Sequence, residues 1–163
     1  MNKFTVFLIL MLFFFITACS SFKKERQDIV TIPFLNGSYT GPVMNELPDG
    51  FGTWTGDNGD KYEGNFSEGM FSGFGIYYYS NKSKYEGGWK KGRFNGKGIL
   101  KYSDGHIYDG NWENGVKQGF GYEKTEKYVY EGEFKNDYPR GYGKIYYLTG
   151  NLSGDKYEGY VVV

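Results

Sequence analysis

The amino-acid sequence predicts an all-β fold, a single-layer, twisted antiparallel meander built from tandem β-hairpins. Three observations carry that prediction. The 163 residues include 26 Gly together with 17 Tyr, 14 Phe and 3 Trp, a mixture that disfavours helix interiors and favours strands. The stretch Tyr85 to Gly105, YEGGWKKGRFNGKGILKYSDG, recurs in near-copies, so that units start at Tyr39, Tyr62, Tyr85, Tyr108, Tyr130 and Tyr157 with spacings of 23, 23, 23, 22 and 27 residues. In each of the first five units a Gly-X-Gly stands eleven residues after the Tyr, at Gly50/Gly52, Gly73/Gly75, Gly96/Gly98, Gly119/Gly121 and Gly141/Gly143. Such a period marks a repeat architecture, in which each unit buries its apolar face only against its neighbours.

The chain opens on a segment of another kind. Met1 to Ala18 carries one charged side chain, Lys3, and a 13-residue apolar run from Phe4 to Ile16 interrupted only by Thr5. Residues 1–18 therefore read as a helical secretory signal, too short to span a bilayer comfortably. The run ends in Ile16-Thr17-Ala18-Cys19, which resembles a bacterial lipobox, and the only Cys of the chain stands where that motif requires it. The resemblance implies that Cys19 is diacylglycerylated, becomes the new N-terminus and anchors the protein to a membrane. One acyl chain holds a protein only marginally, two or three hold it firmly. Without a second Cys no disulfide is expected despite the exported address.

Residues 19–38 form the lipidated N-terminus and a tether. Lys23, Lys24, Glu25, Arg26 and Asp28 nearly cancel in charge, and Ile29-Val30-Thr31-Ile32-Pro33-Phe34 is expected to cover the first repeat. The repeat domain occupies 39–163. In its interior units the first strand runs Tyr-Glu/Asp-Gly-X-aromatic (62–66, 85–89, 108–112, 130–134), a Gly-containing turn follows, and the second strand starts around Gly-X-Gly (73–79, 96–102, 119–124, 141–147). With a partial unit at Tyr157, this predicts about eleven strands and a sheet extending ~50 Å.

Period-2 alternation sorts the side chains. Tyr85, Gly87 and Trp89 share one face with Gly98, Leu100 and Tyr102, while Glu86, Gly88, Ile99 and Lys101 occupy the other. Glycine weakens a strand, so its regular use needs a reason. Aromatic rings lying over the space of the missing Cβ supply one: burying a ring contributes at most ~4–6 kcal/mol, against ~1 kcal/mol for each Gly.

These units resemble the MORN repeat, which reads roughly YEGxWxxGxxxGxGxxxYxDG. The resemblance runs from Tyr39 to the C-terminus and is closest in the three central copies. Departures are Tyr39-Thr-Gly-Pro-Val in the first unit, Thr125 in place of a second-strand Tyr, Asp137 in place of a turn Gly, and a four-residue insertion in the fifth unit. The family implies a single twisted sheet curved into a trough, and a role in binding.

The residues point away from catalysis. The one His, His106, follows Ser103-Asp104-Gly105 in a turn and lacks the separated base and oxyanion donors of a triad. One His and an acylated Cys cannot build a Zn site of the usual type. The row Glu63, Glu86, Asp109, Glu131 and Glu158 is spaced ~10 Å apart, beyond the reach of paired-carboxylate chemistry, and reads as a solvated face with cross-strand Lys partners. None of the Gly-X-Gly pairs precedes a helix, so no nucleotide cofactor is expected. With 19 basic and 19 acidic residues, nothing draws the chain to nucleic acid.

The sequence thus predicts a non-enzymatic, lipid-anchored repeat protein that binds or scaffolds an envelope protein, on the outer membrane if the host is diderm. The candidate contacts are the rings Tyr62, Phe66, Tyr85, Trp89, Tyr108, Trp112, Tyr130 and Phe134. Two other readings stay open: an envelope carbohydrate binder, because aromatic faces stack on sugars, and an anionic-lipid binder through Lys90, Lys91, Arg93, Lys97 and Lys101. A homodimer is expected through the edge strand Tyr157–Val163, unless the insertion from Leu148 to Asp155 covers it.

Overall fold

The computed structural model describes residues 28–151 and 153–162. The signal segment and Cys19 lie outside the described residues, as do Leu152 and Val163. The N-terminal part comprises β1 (Val30–Pro33), β2 (Gly37–Gly41), β3 (Val43–Met44), β4 (Leu47–Pro48) and β5 (Gly50–Gly56). Four hairpins follow: β6 (Lys61–Ser67) with β7 (Met70–Tyr78), β8 (Lys84–Lys90) with β9 (Arg93–Lys101), β10 (Ile107–Glu113) with β11 (Val116–Lys124), and β12 (Tyr128–Lys135) with β13 (Tyr138–Tyr147). The last strand is β14 (Lys156–Val162).

All are antiparallel. Twelve strands form one open sheet in the order β1-β2-β5-β6-β7-β8-β9-β10-β11-β12-β13-β14, and β3-β4 is a separate small hairpin. The extra strand comes from the segment expected to cover the first repeat. Its β-branched Val30, Thr31 and Ile32 suit a strand, and β1 pairs with β2 from Val30↔Gly41 to Pro33↔Ser38. It therefore lengthens the sheet at its edge.

The second strands begin three residues earlier than the glycine pairs suggest, at Met70, Arg93, Val116 and Tyr138. The turns consequently shrink to two residues: Glu68-Gly69, Lys91-Gly92, Asn114-Gly115 and Asn136-Asp137, all with positive φ between 50° and 93°. Two successive left-handed residues make the tight hairpin turn whose twist matches that of the flanking strands. The first glycine of each Gly-X-Gly is then no strand start. Gly73, Gly96, Gly119 and Gly141 have φ of 57°, 82°, 70° and 110° and lie close to the register shifts found at Gly64/Asn65, Gly87/Trp89, Gly110/Trp112 and Gly132/Phe134. These are β-bulges, one per hairpin.

The face assignment holds. Tyr85 pairs with Leu100 and Gly87 with Gly98, and all four are buried. On this core face each Tyr leans along its own strand over the Gly two residues on, and its hydroxyl donates to the carbonyl of the third: Tyr62 to Asn65, Tyr85 to Gly88, Tyr108 to Asn111 and Tyr130 to Glu133, each at 2.9 Å. The bulge takes that carbonyl out of the regular ladder, and the phenol satisfies it. Adjacent units then interlock, with Trp89 standing edge-on to Tyr62 at 5.2 Å, Trp112 to Tyr85 at 5.7 Å and Phe134 to Tyr108 at 4.9 Å. The indole nitrogens of Trp89 and Trp112 donate to the carbonyls of Gly75 and Gly98 in the preceding unit, both at 3.1 Å.

Candidate functional site

The eight rings expected to meet a partner are the core of the sheet. Tyr62, Tyr85, Tyr108 and Tyr130 have no exposed surface, and Phe66, Trp89, Trp112 and Phe134 keep 7% or less. In the second and third units the second strand contributes a further ring that lies flat on the Tyr, Phe71 on Tyr62 at 3.9 Å and Phe94 on Tyr85 at 3.6 Å, and in the fourth Lys117 lies over Tyr108 instead. The eight rings are left almost no surface with which to touch another molecule.

Access on the core face belongs to residues the repeat motif does not single out. A groove of about 380 Å³ is lined by Phe71, Tyr77, Tyr79, Trp89, Arg93 and Phe94, with Gly92 and Gly115 at its end. Tyr77, Tyr79, Phe71 and Phe94 are half-buried there. A smaller niche of about 230 Å³ lies two units on, between Tyr128, Tyr130, Pro139, Ile145, Tyr147 and Val161. Pro139 pairs with Phe134 where Phe71 pairs with Phe66, and it cannot fill the space a stacked ring would take. The signal lay in the second strands, Phe71, Tyr77, Tyr79 and Phe94 for the groove and Pro139, Ile145 and Tyr147 for the niche, and it is masked by variation from unit to unit.

Beside the groove, Asp60 accepts hydrogen bonds from the Tyr77 hydroxyl at 2.8 Å, the Ser80 amide at 2.7 Å and Asn58 Nδ2 at 3.0 Å. Burial pushes the Asp60 carboxyl up, but these donors outweigh it and hold the group below the usual carboxylate range. The same contact, after burial, raises Tyr77. Tyr77 is thereby fixed as a neutral ring on the groove wall. A half-exposed aromatic wall with one cation, Arg93, suits apolar and aromatic side chains of a partner.

The fourth unit breaks the ring pattern. Lys117 pairs with Trp112, and Glu123 with Tyr108, the places that Phe94 and Leu100 hold one unit earlier. Lys117 Nζ forms an ion pair with Glu123, and both side chains are nearly buried. The ammonium also sits 4.8 Å from the centre of the Tyr108 ring, and the Tyr128 hydroxyl donates to Glu123 at 3.1 Å.

The remaining candidates are dispersed on the surface. Lys90, Lys91, Arg93, Lys97 and Lys101 are all exposed, and none is in an ion pair among the described residues. In the acidic row, Glu63 and Glu86 pair with Lys61 and Lys84 two residues away on their own strands, not across strands as expected. Among the described residues only Glu158 of the row has a cross-strand Lys partner, Lys144 at 3.5 Å. His106 stands before β10 with its imidazole 3.9 Å from Asp104. Among the described residues no group of three His, Cys, Asp or Glu is placed to hold a metal ion.

Comparison with characterised proteins finds no match. The MORN repeat pattern matches residues 39–61, 62–84, 85–107, 108–124 and 130–152, and MORN repeats are generally involved in protein or membrane-lipid binding. The partial unit at Tyr157 falls outside the match, although β14 adds to the sheet. Five matched units, each with its Tyr over a Gly, cover most of the described sheet, and the chain belongs to the MORN-repeat family.

Proposed function

We propose that this protein is a non-enzymatic, membrane-anchored scaffold of the bacterial envelope, which holds a partner protein in the groove of its core face. The groove between Phe71, Tyr77, Tyr79 and Phe94 carries the reading, because it is aromatic and continuous with the inter-unit packing. The anchor is Cys19, supported by Ile16-Thr17-Ala18-Cys19 at the end of the apolar run. Two or three acyl chains on that residue would keep the sheet at the membrane, a tether's length away.

Two measurements test it. Replacing Cys19 with Ala should abolish acylation and block lipoprotein processing. A variant that matured normally and stayed membrane-bound without acyl label would remove the anchor. For the groove, a photo-crosslinking residue at position 79 in cells should capture a protein that one at position 101 does not. Capture from 101 alone would refute the groove.

A further inference from the structure

The face opposite the groove carries a second pattern. The central residues of the Gly-X-Gly motifs are Phe51, Phe74, Lys97, Phe120 and Tyr142, and Tyr160 pairs directly with Tyr142. The rings face water: Phe51 is 66% exposed, Phe74 56%, Phe120 53%, Tyr142 55% and Tyr160 71%. One exposed ring needs no explanation, but four at one repeat position do. They contribute nothing to the core, which the buried tyrosines build on the other side.

Between the rings stand hydrogen-bonding side chains. Phe51 pairs with Asn65, Lys97 with Asn111 and Phe120 with Glu133. The amides of Asn65 and Asn111 are fixed in place by donating to the carbonyls of Phe74 at 3.1 Å and Phe120 at 3.0 Å. Rings and polar groups therefore alternate along a strip that crosses the strands, interrupted at Gly88, which pairs with Phe74, and the ring position recurs every second strand, about 10 Å apart. An extended peptide repeats its faces about every 7 Å and would fall out of step. A lipid surface has no use for Asn65, Asn111 and Glu133 set between the rings. In a β-1,4-linked chain of pyranoses each sugar is turned over relative to the last, so the same face returns once per disaccharide, a length that closely matches two strands. Rings then stack on the apolar faces of alternate sugars while the polar groups reach hydroxyls between them.

Charge narrows the ligand. In the third unit Lys97 replaces the ring, Lys90 and Lys101 are exposed in the same two strands without ion pairs among the described residues, and the carboxylate of that face, Glu86, is already paired with Lys84. We propose that the outer face of the sheet binds an acidic β-1,4-linked polysaccharide laid across the strands, with Phe51, Phe74, Phe120 and Tyr142 stacking on its sugars and Lys97 pairing with a carboxylate.

Calorimetry on the full chain in detergent, with carboxymethylcellulose as the probe, tests it. Binding should weaken about tenfold in Phe74→Ala/Phe120→Ala, persist in Phe74→Tyr/Phe120→Tyr, and lose its salt sensitivity in Lys97→Gln. Neutral hydroxyethylcellulose should bind more weakly through the same rings. Tyr79→Ala, in the groove, should leave all of this unchanged. Equal binding of polyglutamate and indifference to the Phe substitutions would reduce the site to a polyanion patch and overturn the proposal. Failure to bind the polymer would overturn it too. If the Cys19→Ala chain then bound phosphatidylglycerol vesicles through Phe74 and Phe120, the face would belong to a lipid surface.

Discussion

At the scale of the residue, the repeat is an agreement between one tyrosine and two glycines. A Cβ built on Gly98 would stand 2.3 Å from the Tyr85 hydroxyl, and one on Gly87 would stand 2.4 Å from the Cα of Gly98. Neither contact is possible, so the ring and the backbones would have to separate. Gly98→Val should cost about 3 kcal/mol or more despite the strand preference of Val, and a thermal melt equal to the parent's would contradict it. The same tyrosines set the alkaline limit. Burial, then the nearby Asp49, pushes Tyr39 up to about 12, and burial raises Tyr62, Tyr85 and Tyr108 as well. A folded-state pKa above the unfolded one gives stability that is complete below the unfolded value near 10 and is lost as pH rises toward the folded value. The melting temperature should hold from pH 7 to 9 and fall above pH 10, with phenolate absorbance appearing together with unfolding. Phenolate titrating before any loss of structure would show that the hydroxyls are not held as described.

At the scale of the element, each hairpin is specified by local chemistry and then coupled to the next by rings. The fourth hairpin substitutes an ion pair for a ring stack, and its Lys117–Glu123 pair is nearly buried. Replacing a buried pair by well-packed apolar groups is often stabilising by about 1–4 kcal/mol, while removing one partner leaves a costly charge. Lys117→Phe/Glu123→Leu, which restores the residues of the third unit, should therefore raise stability, and Glu123→Leu alone should lower it by about 3 kcal/mol. Denaturant melts of the three proteins decide, and an unstable double variant would show that the pair is built into the shape of this hairpin. Faces and pairing were legible in the sequence because Tyr, Gly and Trp alternate with period 2, and a slip of one residue would expose every ring. The tight turns were not, because Glu68-Gly69 and Lys91-Gly92 lack the Asn-Gly signature that Asn114-Gly115 has. Nor was the burial of the eight rings legible, since the residues that arrive over them from the next strand differ from unit to unit, Phe71 and Phe94 in two units and Lys117 and Pro139 in the next two. The strip of Phe51, Phe74 and Phe120 was in plain view within the glycine motifs, each ring one residue before a buried glycine, Gly52, Gly75 or Gly121, so that alternation turns it to the outer face.

At the scale of the whole molecule, the sheet is nearly one-dimensional, each hairpin touching only its neighbours, so the ends decide how it meets other copies. The first edge is short and contains Pro33, which blunts it. The other edge is β14, seven residues long and paired on one side only, with β13. The insertion that was expected as a possible cover turns the other way. Leu148 donates its amide to the carbonyl of Lys127, and the loop closes on Tyr147 through Gly154 and Asp155, so among the described residues it leaves the outer side of β14 open. A long, uncovered strand with free backbone donors is a template for pairing, and two identical edges meeting antiparallel would continue the sheet through a two-fold axis. Hydrogen exchange of the purified full chain at two concentrations reads this directly. In a dimer the outward amides of β14 become protected as concentration rises, and Val162→Lys, which sets a cation into each of two facing edges, restores rapid exchange. If those amides exchanged freely at both concentrations, β14 would be the true end of the sheet, and the central hairpins would hold the highest protection with β14 fraying first.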